Sequence, residues 1–189
     1  MRGRFIASVI ASVISSVTGP VIAALVVMLA TAGTARADVL KVGDHLAELD
    51  VATDASGKPV KLKAWKGKWL VVTVGADWCK PCAKELPTWD KLAGEPELKG
   101  KVVFVAIDID DDIDVGKKFH DKLKLKNMVR VYLPSDKSSI AGSYGSDHMP
   151  STFVADGKGI VRLVREGFEA GDADGEYKKF KAALDKLVK

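Results

Sequence analysis

The sequence predicts an α/β fold in which a mixed central β-sheet lies between helices and is preceded by an N-terminal β-hairpin extension. Short apolar runs rich in β-branched residues alternate with segments of helical spacing, as in repeated strand–helix–strand units. The chain then ends on a second hairpin and an amphipathic helix. Strands that are apolar on both faces need cover on both sides, so the sheet is expected to be central.

The first predicted elements are the N-terminal hairpin and the strand that follows it. Leu46–Val51 and Val60–Leu62 flank a turn that contains Gly57 and Pro59, two residues that supply turn conformations. The first core strand is predicted at Trp69–Val74, a run dominated by β-branched residues.

The remaining elements follow from periodicity. A helix is predicted at Ala83–Ala93, where Leu86, Trp89 and Leu92 recur on one face, although Pro87 removes one of its backbone hydrogen bonds. The later elements are, in chain order, a strand at Lys101–Ile107, a helix at Val115–Leu125, a strand at Val129–Leu133, a short helix or turn at Ser138–Tyr144, strands at Ser151–Ala155 and Ile160–Val164 around the turn Asp156–Gly159, and a helix at Glu176–Val188.

Residues 1–37 predict a signal peptide or an N-terminal membrane anchor, and residues 38–189 predict one folded domain. Two arginines precede an uncharged, largely apolar stretch over residues 5–35, and the sequence at 35–37 resembles a signal cleavage site. The stretch is longer than a usual signal core of about 7–15 residues and long enough for a spanning helix of roughly 20, so both alternatives stay open. Either way, we expect the folded part to be exported, to the periplasm or the outer face of the cytoplasmic membrane.

The charge distribution argues against nucleic-acid binding. Most of the formal net charge of +4 comes from three arginines within the first 37 residues, where no other charged residue occurs. In the remainder, 26 Lys and Arg face 25 Asp and Glu. A polyanion needs a concentrated basic face, and a near-neutral body with mixed charges does not indicate one.

The two cysteines of the chain, Cys79 and Cys82, form a Cys-x-x-Cys motif between a predicted buried strand and a predicted helix. That context is typical of a redox dithiol. Free N–H groups and the positive end of the helix dipole stabilise a thiolate at a helix start, so Cys79 is predicted to be the exposed attacking sulfur. Cys82 is predicted to be the partly buried sulfur that resolves a mixed disulfide. No cofactor is predicted apart from the redox-active disulfide between Cys79 and Cys82.

Other uses of the cysteines are less consistent with the sequence. A structural zinc site needs four ligands, and neither a second Cys-x-x-Cys nor paired histidines occur. A disulfide that closes so small a ring constrains the unfolded chain very little, and a domain of this size can bury a core without it. Copper binding stays open as an alternative, because thiolates together with Met149 or His148 suit Cu(I).

Several motifs together resemble the thioredoxin superfamily, specifically its exported TlpA/ResA-like thiol–disulfide oxidoreductases. The stretch Trp78–Pro87, WCKPCAKELP, is similar to that branch's W-C-x-P-C-x-x-E-x-P pattern. The resemblance extends over nearly all of the predicted domain. Further matching segments are Gly57–Leu62 with the N-terminal hairpin, Gly67–Trp69 with the approach to the first core strand, Met149–Phe153 with the cis-proline loop, and Asp156–Gly159 with the following turn.

The resemblance implies roles for four further residues. Pro150 corresponds to the family's cis-proline, and the backbone of Met149 would hold an incoming peptide beside the dithiol. With Trp78 they are the predicted substrate-binding residues. Glu85 corresponds to an acidic residue that tunes the thiols and relays protons. Independently, a half-buried carboxylate one turn beyond Cys82 should have a raised pKa, which suits it to proton transfer.

The sequence also departs from the family pattern near the dithiol. Thr73 stands where ordinary thioredoxins have an aspartate, which favours the TlpA/ResA branch. That branch usually has two aromatic residues after the strand, whereas this chain has Gly75 and Ala76, which should leave the site more open. Asp77 places a negative charge near Cys79, and its role is not explained by the sequence.

The resulting functional prediction is an exported enzyme that reduces disulfides in extracytoplasmic proteins, of the kind that acts in cytochrome c maturation. The expected partners are a disulfide-containing protein substrate and a membrane thiol electron donor that restores the dithiol. A copper-binding metallochaperone on the same fold is the alternative.

Overall fold

The computed structural model describes residues 38–138 and 140–189. The predicted signal peptide or membrane anchor at residues 1–37 lies outside the described residues. Within the described part of the chain, no helix is both long and apolar enough to cross a membrane.

The core of the domain is a five-stranded mixed sheet in the order β3-β2-β1-β4-β5. Its strands are β1 (Trp69–Gly75), β2 (Val102–Asp108), β3 (Val129–Tyr132), β4 (Ser151–Ala155) and β5 (Val161–Glu166). The pairs β1/β2 and β2/β3 are parallel, whereas β1/β4 and β4/β5 are antiparallel. The predicted mixed sheet is therefore confirmed, with β1 at its centre.

Three α-helices and two short 3-10 helices accompany the sheet. The α-helices are α1 (Cys82–Ala93), α2 (Ile113–Leu123) and α3 (Ala173–Leu187), and the 3-10 helices span Leu62–Trp65 and Gly142–Tyr144. The starts of α2 and α3 lie two and three residues before the predicted ones. Asp112 and Asp172 explain this, because each side chain accepts a backbone N–H of the first helical turn and so caps the helix.

Two apolar clusters contain strand residues together with residues of different covering segments. One cluster contains residues from all three α-helices, including Leu86, Trp89, Phe119, Phe180 and Leu184. The other contains residues from the N-terminal extension and the 3-10 helices, including Leu40, Leu49, Ala52, Leu62 and Tyr144. The segments that cover the second cluster are thus short 3-10 helices, turns and irregular chain. Residues 38–66 lack a run of helical spacing long enough for an α-helix.

The N-terminal extension reverses direction at the predicted turn but forms isolated bridges instead of a regular ladder. Thr53 bridges Pro59 across the turn and also bridges Tyr132 at the edge of the sheet. The predicted second arm ends in the 3-10 helix that begins at Leu62. Thr53 exchanges backbone hydrogen bonds with Tyr132 on one side. Across the turn, its neighbour Ala52 accepts from Val60 and its neighbour Asp54 donates to Lys58.

The end of α1 is tied to the segment before β3 by one buried carboxylate. Asp90 Oδ1 accepts backbone N–H bonds from Lys126 at 2.9 Å, from Asn127 at 2.7 Å and from Met128 at 3.0 Å. Three donors on one oxygen hold the loop between α2 and β3 against α1, and they satisfy backbone groups that would otherwise be buried without partners.

We predict that Asp90→Ala lowers the free energy of unfolding by roughly 2–4 kcal/mol, because three backbone donors lose their acceptor. Urea unfolding of the oxidised protein measures the change. Lys84→Ala, an exposed position on the same helix, is the control and should stay within about 0.5 kcal/mol of the parent. Equal midpoints for the two variants would contradict the tethering role of Asp90.

Candidate active site

The two cysteines form a disulfide at the junction of β1 and α1. Cys82 is the first residue of α1, and Cys79 lies in the turn that follows β1, with a Cα–Cα distance of 5.3 Å between them. The backbone N–H of Cys82 donates to Cys79 Sγ at 3.3 Å. This donor comes from the free N-terminal end of the helix, so it is placed to stabilise a thiolate on Cys79 after reduction.

Cys79 is less exposed than predicted. In the disulfide it is 5% exposed and Cys82 is fully buried, so the predicted order of exposure holds although Cys79 is not an open surface residue. Trp78, directly before it, is 65% exposed. A large exposed aromatic side chain thus lies directly before a barely accessible sulfur.

The peptide bond between Met149 and Pro150 is cis, as the resemblance implied. Ser151 pairs with Val74 at the end of β1, which places the cis-proline next to the turn that carries Cys79. Met149 is partly buried and packs against both apolar clusters. Roles for Trp78, Met149 and Pro150 in substrate binding stay a prediction.

Glu85 lies in α1 one turn beyond Cys82 and is fully buried, not half-buried as predicted. Thr152 Oγ1 donates to Glu85 Oε1 at 3.1 Å and is itself 2.7 Å from Thr73 Oγ1. Trp89 Nε1 donates to the same Thr152 oxygen at 3.3 Å. A chain of hydrogen bonds thus links the helix carboxylate to β4 and β1 beneath the disulfide.

The environment of Glu85 favours its protonated form. Burial raises its pKa to about 8, opposed by hydrogen bonding with Trp89 and Thr152. Its Oε2 atom has no hydrogen-bond partner within the described residues. A carboxyl group that titrates in this range can exchange a proton with a thiol. The proton-relay role of Glu85 stays a prediction.

Gly75 does not open the site, which corrects the expectation from sequence. A Cβ atom at Gly75 would lie 3.3 Å from Cys82 Cβ and 3.3 Å from Leu86 Cδ1, closer than usual contacts. Ala76 is fully buried as well. The absence of a side chain at Gly75 therefore lets α1 pack directly on the end of β1.

The role of Asp77 becomes visible through its backbone. The N–H of Asp77 donates to Asp110 Oδ2 at 2.8 Å, which ties the turn before Cys79 to the segment after β2. The Asp77 side chain itself is exposed. Asp110 and its buried neighbour Asp108 were not identified from the sequence, where the acidic run after β2 indicates only a solvated turn.

Sequence reasoning also missed the hydrogen bonds of Thr152 and Trp89. A signal for Thr152 existed in its position two residues after Pro150, because the antiparallel register then places it opposite Thr73. Trp89 was predicted only as a core residue, and nothing in the helical spacing indicates its indole donor.

One surface cleft lies apart from the cysteines. A surface cleft of about 210 Å³ is formed near the start of β1 and the β4–β5 turn, with Leu70, Trp65 and Gly157 in its wall. Among residues 38–138 and 140–189, no group of three or more His, Cys, Asp and Glu side chains is placed to hold a metal ion.

The fold and the site together define the class: a thioredoxin-fold protein with a Cys-x-x-Cys disulfide between the central strand and the first helix. The chain belongs to the AhpC/TSA family, whose pattern matches residues 42–164. Its relatives and structural neighbours are thiol–disulfide oxidoreductases of the thioredoxin fold.

Two curated relatives are thiol–disulfide oxidoreductases named ResA. The protein of Bacillus thuringiensis strain Al Hakam is 35% identical over 119 residues, which cover 61% of this chain and 66% of ResA. That of Bacillus thuringiensis subsp. konkukian strain 97-27 is 34% identical over 130 residues, covering 68% and 72%. This chain thus spans just under two thirds of the length of the first relative.

A solved structure extends the comparison to the fold. A protein from Chlorobium tepidum, assigned as the thiol:disulfide interchange protein DsbE, superposes with a TM-score of 0.63 at 25% identity. The match covers 77% of this chain and 99% of that one. Almost the whole of the neighbour is therefore present here, which confirms the predicted thioredoxin fold.

We predict that Glu85 makes the stability of the protein fall as pH rises through the neutral range. Its pKa is about 8 when folded and 4.5 in an exposed reference state, so the folded state binds more protons between these values. The stabilisation is fully present below about pH 4.5 and is lost by about pH 8, at up to about 1.4 kcal/mol per pH unit. Glu85→Gln should lose this slope in urea unfolding measured from pH 5 to 9.

The matched control is Glu97→Gln, which changes an exposed carboxylate on the surface and should keep the parent's slope over the same range. A Glu85→Gln profile parallel to that of the parent would show that Glu85 does not titrate in this window.

Proposed function

We propose that this protein is an exported thiol–disulfide oxidoreductase that reduces disulfides in extracytoplasmic proteins. The observation that carries the proposal is the Cys79–Cys82 disulfide at the start of α1, flanked by the cis bond before Pro150 and by the buried carboxyl of Glu85. The curated relatives, which are themselves thiol–disulfide oxidoreductases, support the same chemistry.

The reaction proceeds by two thiol–disulfide exchanges. The Cys79 thiolate attacks a sulfur of the substrate disulfide, forming a mixed disulfide and expelling one substrate thiolate, which takes up a proton. The Cys82 thiolate then attacks Cys79 Sγ, so that the Cys79–Cys82 bond forms and the second substrate thiolate leaves. Two electrons pass to the substrate, and the protein ends in the oxidised form described above.

The neighbouring groups have separate tasks in this sequence. The N–H of Cys82 stabilises the attacking thiolate of Cys79. Burial of Cys82 keeps the resolving sulfur from solvent until the mixed disulfide has formed. Glu85, which titrates near neutral pH, is placed to take the proton of Cys82 as it becomes a nucleophile.

A membrane thiol donor is proposed to return the disulfide to the dithiol after each turnover. The substrate class is a protein disulfide outside the cytoplasm, apocytochrome c among the candidates. The low exposure of Cys79 beside the exposed Trp78 favours a protein substrate that docks on the aromatic side chain over a freely diffusing small disulfide.

We predict that Cys82→Ala accumulates mixed disulfides on Cys79, because the resolving step is blocked while the attacking step remains. Expression of the full chain in an exporting bacterium, followed by non-reducing electrophoresis and mass spectrometry, identifies the trapped partners. The paired control, Cys79→Ala, should trap no such partners. Absence of Cys79 adducts from the extracytoplasmic fraction of the Cys82→Ala strain would contradict the proposal.

If the protein acts as a reductant, the reduction potential of its Cys79–Cys82 couple should be low. Equilibration with glutathione buffers should give a potential for the Cys79–Cys82 couple nearer to thioredoxin at about −270 mV than to DsbA at about −120 mV. The purified protein suffices, and the ratio of oxidised to reduced forms is read by alkylation and mass. A value close to that of DsbA would indicate an oxidase and overturn the assigned direction.

A further inference from the structure

A pair of buried carboxyl groups lies at the carboxyl end of β2, where Asp108 is the last strand residue and Asp110 follows it, next to the turn that carries Cys79. Asp108 is 1% exposed and Asp110 is 8% exposed. The backbone N–H of Asp110 donates to Asp108 Oδ1 at 3.1 Å, and Asp110 Oδ2 accepts the N–H of Asp77 at 2.8 Å. The pair is therefore joined through one backbone bond to the residue two positions before the attacking cysteine.

The side chain of Asp108 fits against α2 because residue 116 of that helix is glycine. A Cβ atom at Gly116 would lie 2.0 Å from Asp108 Oδ1, so any other residue there would collide with the carboxyl group. The other oxygen, Asp108 Oδ2, is buried and has no hydrogen-bond partner within the described residues. A buried carboxylate oxygen without a donor is costly, and a proton on it removes that cost.

No cation compensates the pair. Neither carboxyl forms an ion pair within residues 38–138 and 140–189, and the titratable groups that face them are anionic or neutral. Asp77 faces them from the turn after β1, and Asp111 follows Asp110 in the same segment.

Tyr132 on β3 pairs with Asp108 in register, and its ring packs on His120 of α2 at a centroid distance of 5.4 Å. Burial raises the pKa of Tyr132 and lowers the pKa of His120 to about 4, so both are uncharged near neutral pH. Burial, followed by the charge of Asp110, raises the pKa of Asp108 to about 8. Near neutral pH Asp108 therefore keeps its proton. Burial raises the pKa of Asp110 too, but the backbone N–H of Asp77 opposes this shift and favours the ionised form of Asp110.

We propose that Asp110, whose backbone N–H is held by Asp108, is a positioning residue that fixes the Cys79 turn and sets the negative charge that the Cys79 thiolate meets. The inference rests on the thiol–disulfide exchange proposed above and adds a regulation of that site. Asp108 Oδ1 holds the backbone N–H of Asp110, and Asp110 in turn holds the N–H of Asp77. When Asp108 ionises, a second negative charge appears beside Asp77 and the thiolate is disfavoured.

The sign of each effect follows from simple electrostatics. A negative charge near Cys79 destabilises its thiolate, which makes the dithiol less stable relative to the disulfide. Removal of the charge at Asp110 therefore makes the thiolate easier to form and the disulfide easier to reduce. Ionisation of Asp108 acts in the opposite direction, and only above neutral pH.

Asp110→Asn tests the charge and keeps an oxygen that can accept the N–H of Asp77. At pH 6 we expect the rate of Cys79 alkylation by iodoacetamide to rise roughly threefold to tenfold, as expected for removing one partly screened charge. Asp111→Asn, an exposed carboxylate of the same segment, is the matched control and should leave the rate unchanged. Equal rates for Asp110→Asn and Asp111→Asn would overturn the assignment.

The pH dependence is tested with Asp108→Asn, which cannot ionise. The equilibrium constant for reduction by glutathione is measured from pH 6 to 9.5 for the parent and the variant, so that the titration of glutathione cancels in their ratio. We expect the ratio of parent to variant to be flat below about pH 7 and to fall roughly threefold to tenfold above about pH 8. A ratio that stays flat throughout would sink the proposal.

A measurement on the unmutated protein guards against variants that fail to fold. By linkage, a thiolate that is disfavoured by ionised Asp108 must in turn raise the carboxyl pKa of Asp108. Carbon-13 NMR of the side-chain carboxyl should therefore give a higher midpoint in the reduced protein than in the oxidised protein. Identical midpoints would overturn the coupling. None of these tests uses a protein substrate, so they are independent of the proposed physiological direction.

Discussion

The structure depends on the close packing of α1 on the end of β1. Gly75 has no side chain, so Cys82 and Leu86 lie directly against the strand. This contact brings the free N–H groups at the start of α1 to the turn where Cys79 sits. The parallel pair β1/β2 and the packing of α3 against α1 hold both partners of the contact in place. Reactivity at Cys79 is thus a consequence of where one helix begins.

Two buried carboxyl groups flank this junction, and neither is neutralised by an ion pair in the described part of the chain. Glu85 lies beneath the disulfide on α1, and Asp108 lies beside the turn at the end of β2. Burial of an unpaired carboxyl group favours its protonated form and costs stability as the pH rises. Such groups are retained at sites where a proton must be held near neutral pH, which agrees with a dithiol whose reactivity depends on protonation.

The sequence was sufficient for the features that depend on local pattern. The strand runs and the Cys-x-x-Cys context predicted the mixed sheet and the disulfide at the start of α1, and the resemblance implied the cis bond before Pro150. The contacts that distinguish this site join residues far apart in the chain. Thr73 and Thr152 meet through strand register, and Asp77 meets Asp110 only because β1 and β2 end together.

The predicted starts of the helices and the predicted exposure of Cys79 were wrong for a related reason. Helix starts depended on whether one aspartate side chain turned back to cap the backbone, as Asp112 does for α2, and hydrophobic periodicity does not report that choice. The exposure of Cys79 depended on how closely the helix approaches the strand. From the sequence, the lack of a side chain at Gly75 suggested an open site. In the structure, that lack allows α1 to pack directly against the end of β1.

Asp110 and Glu85 are proposed to act on different sulfurs, and this asymmetry fits the order of the proposed reaction. Asp110 is joined to the turn of Cys79, the sulfur that must be a thiolate before the substrate arrives. Glu85 follows Cys82 on α1, the sulfur that must lose its proton only after the mixed disulfide has formed. In this proposal the charge of Asp110 tempers the reactivity of the first sulfur in the free protein, whereas Glu85 exchanges a proton with the second sulfur within the mixed-disulfide intermediate. Separate carboxyl groups thus allow the attacking and resolving steps to be tuned independently, which a single shared acid could not do.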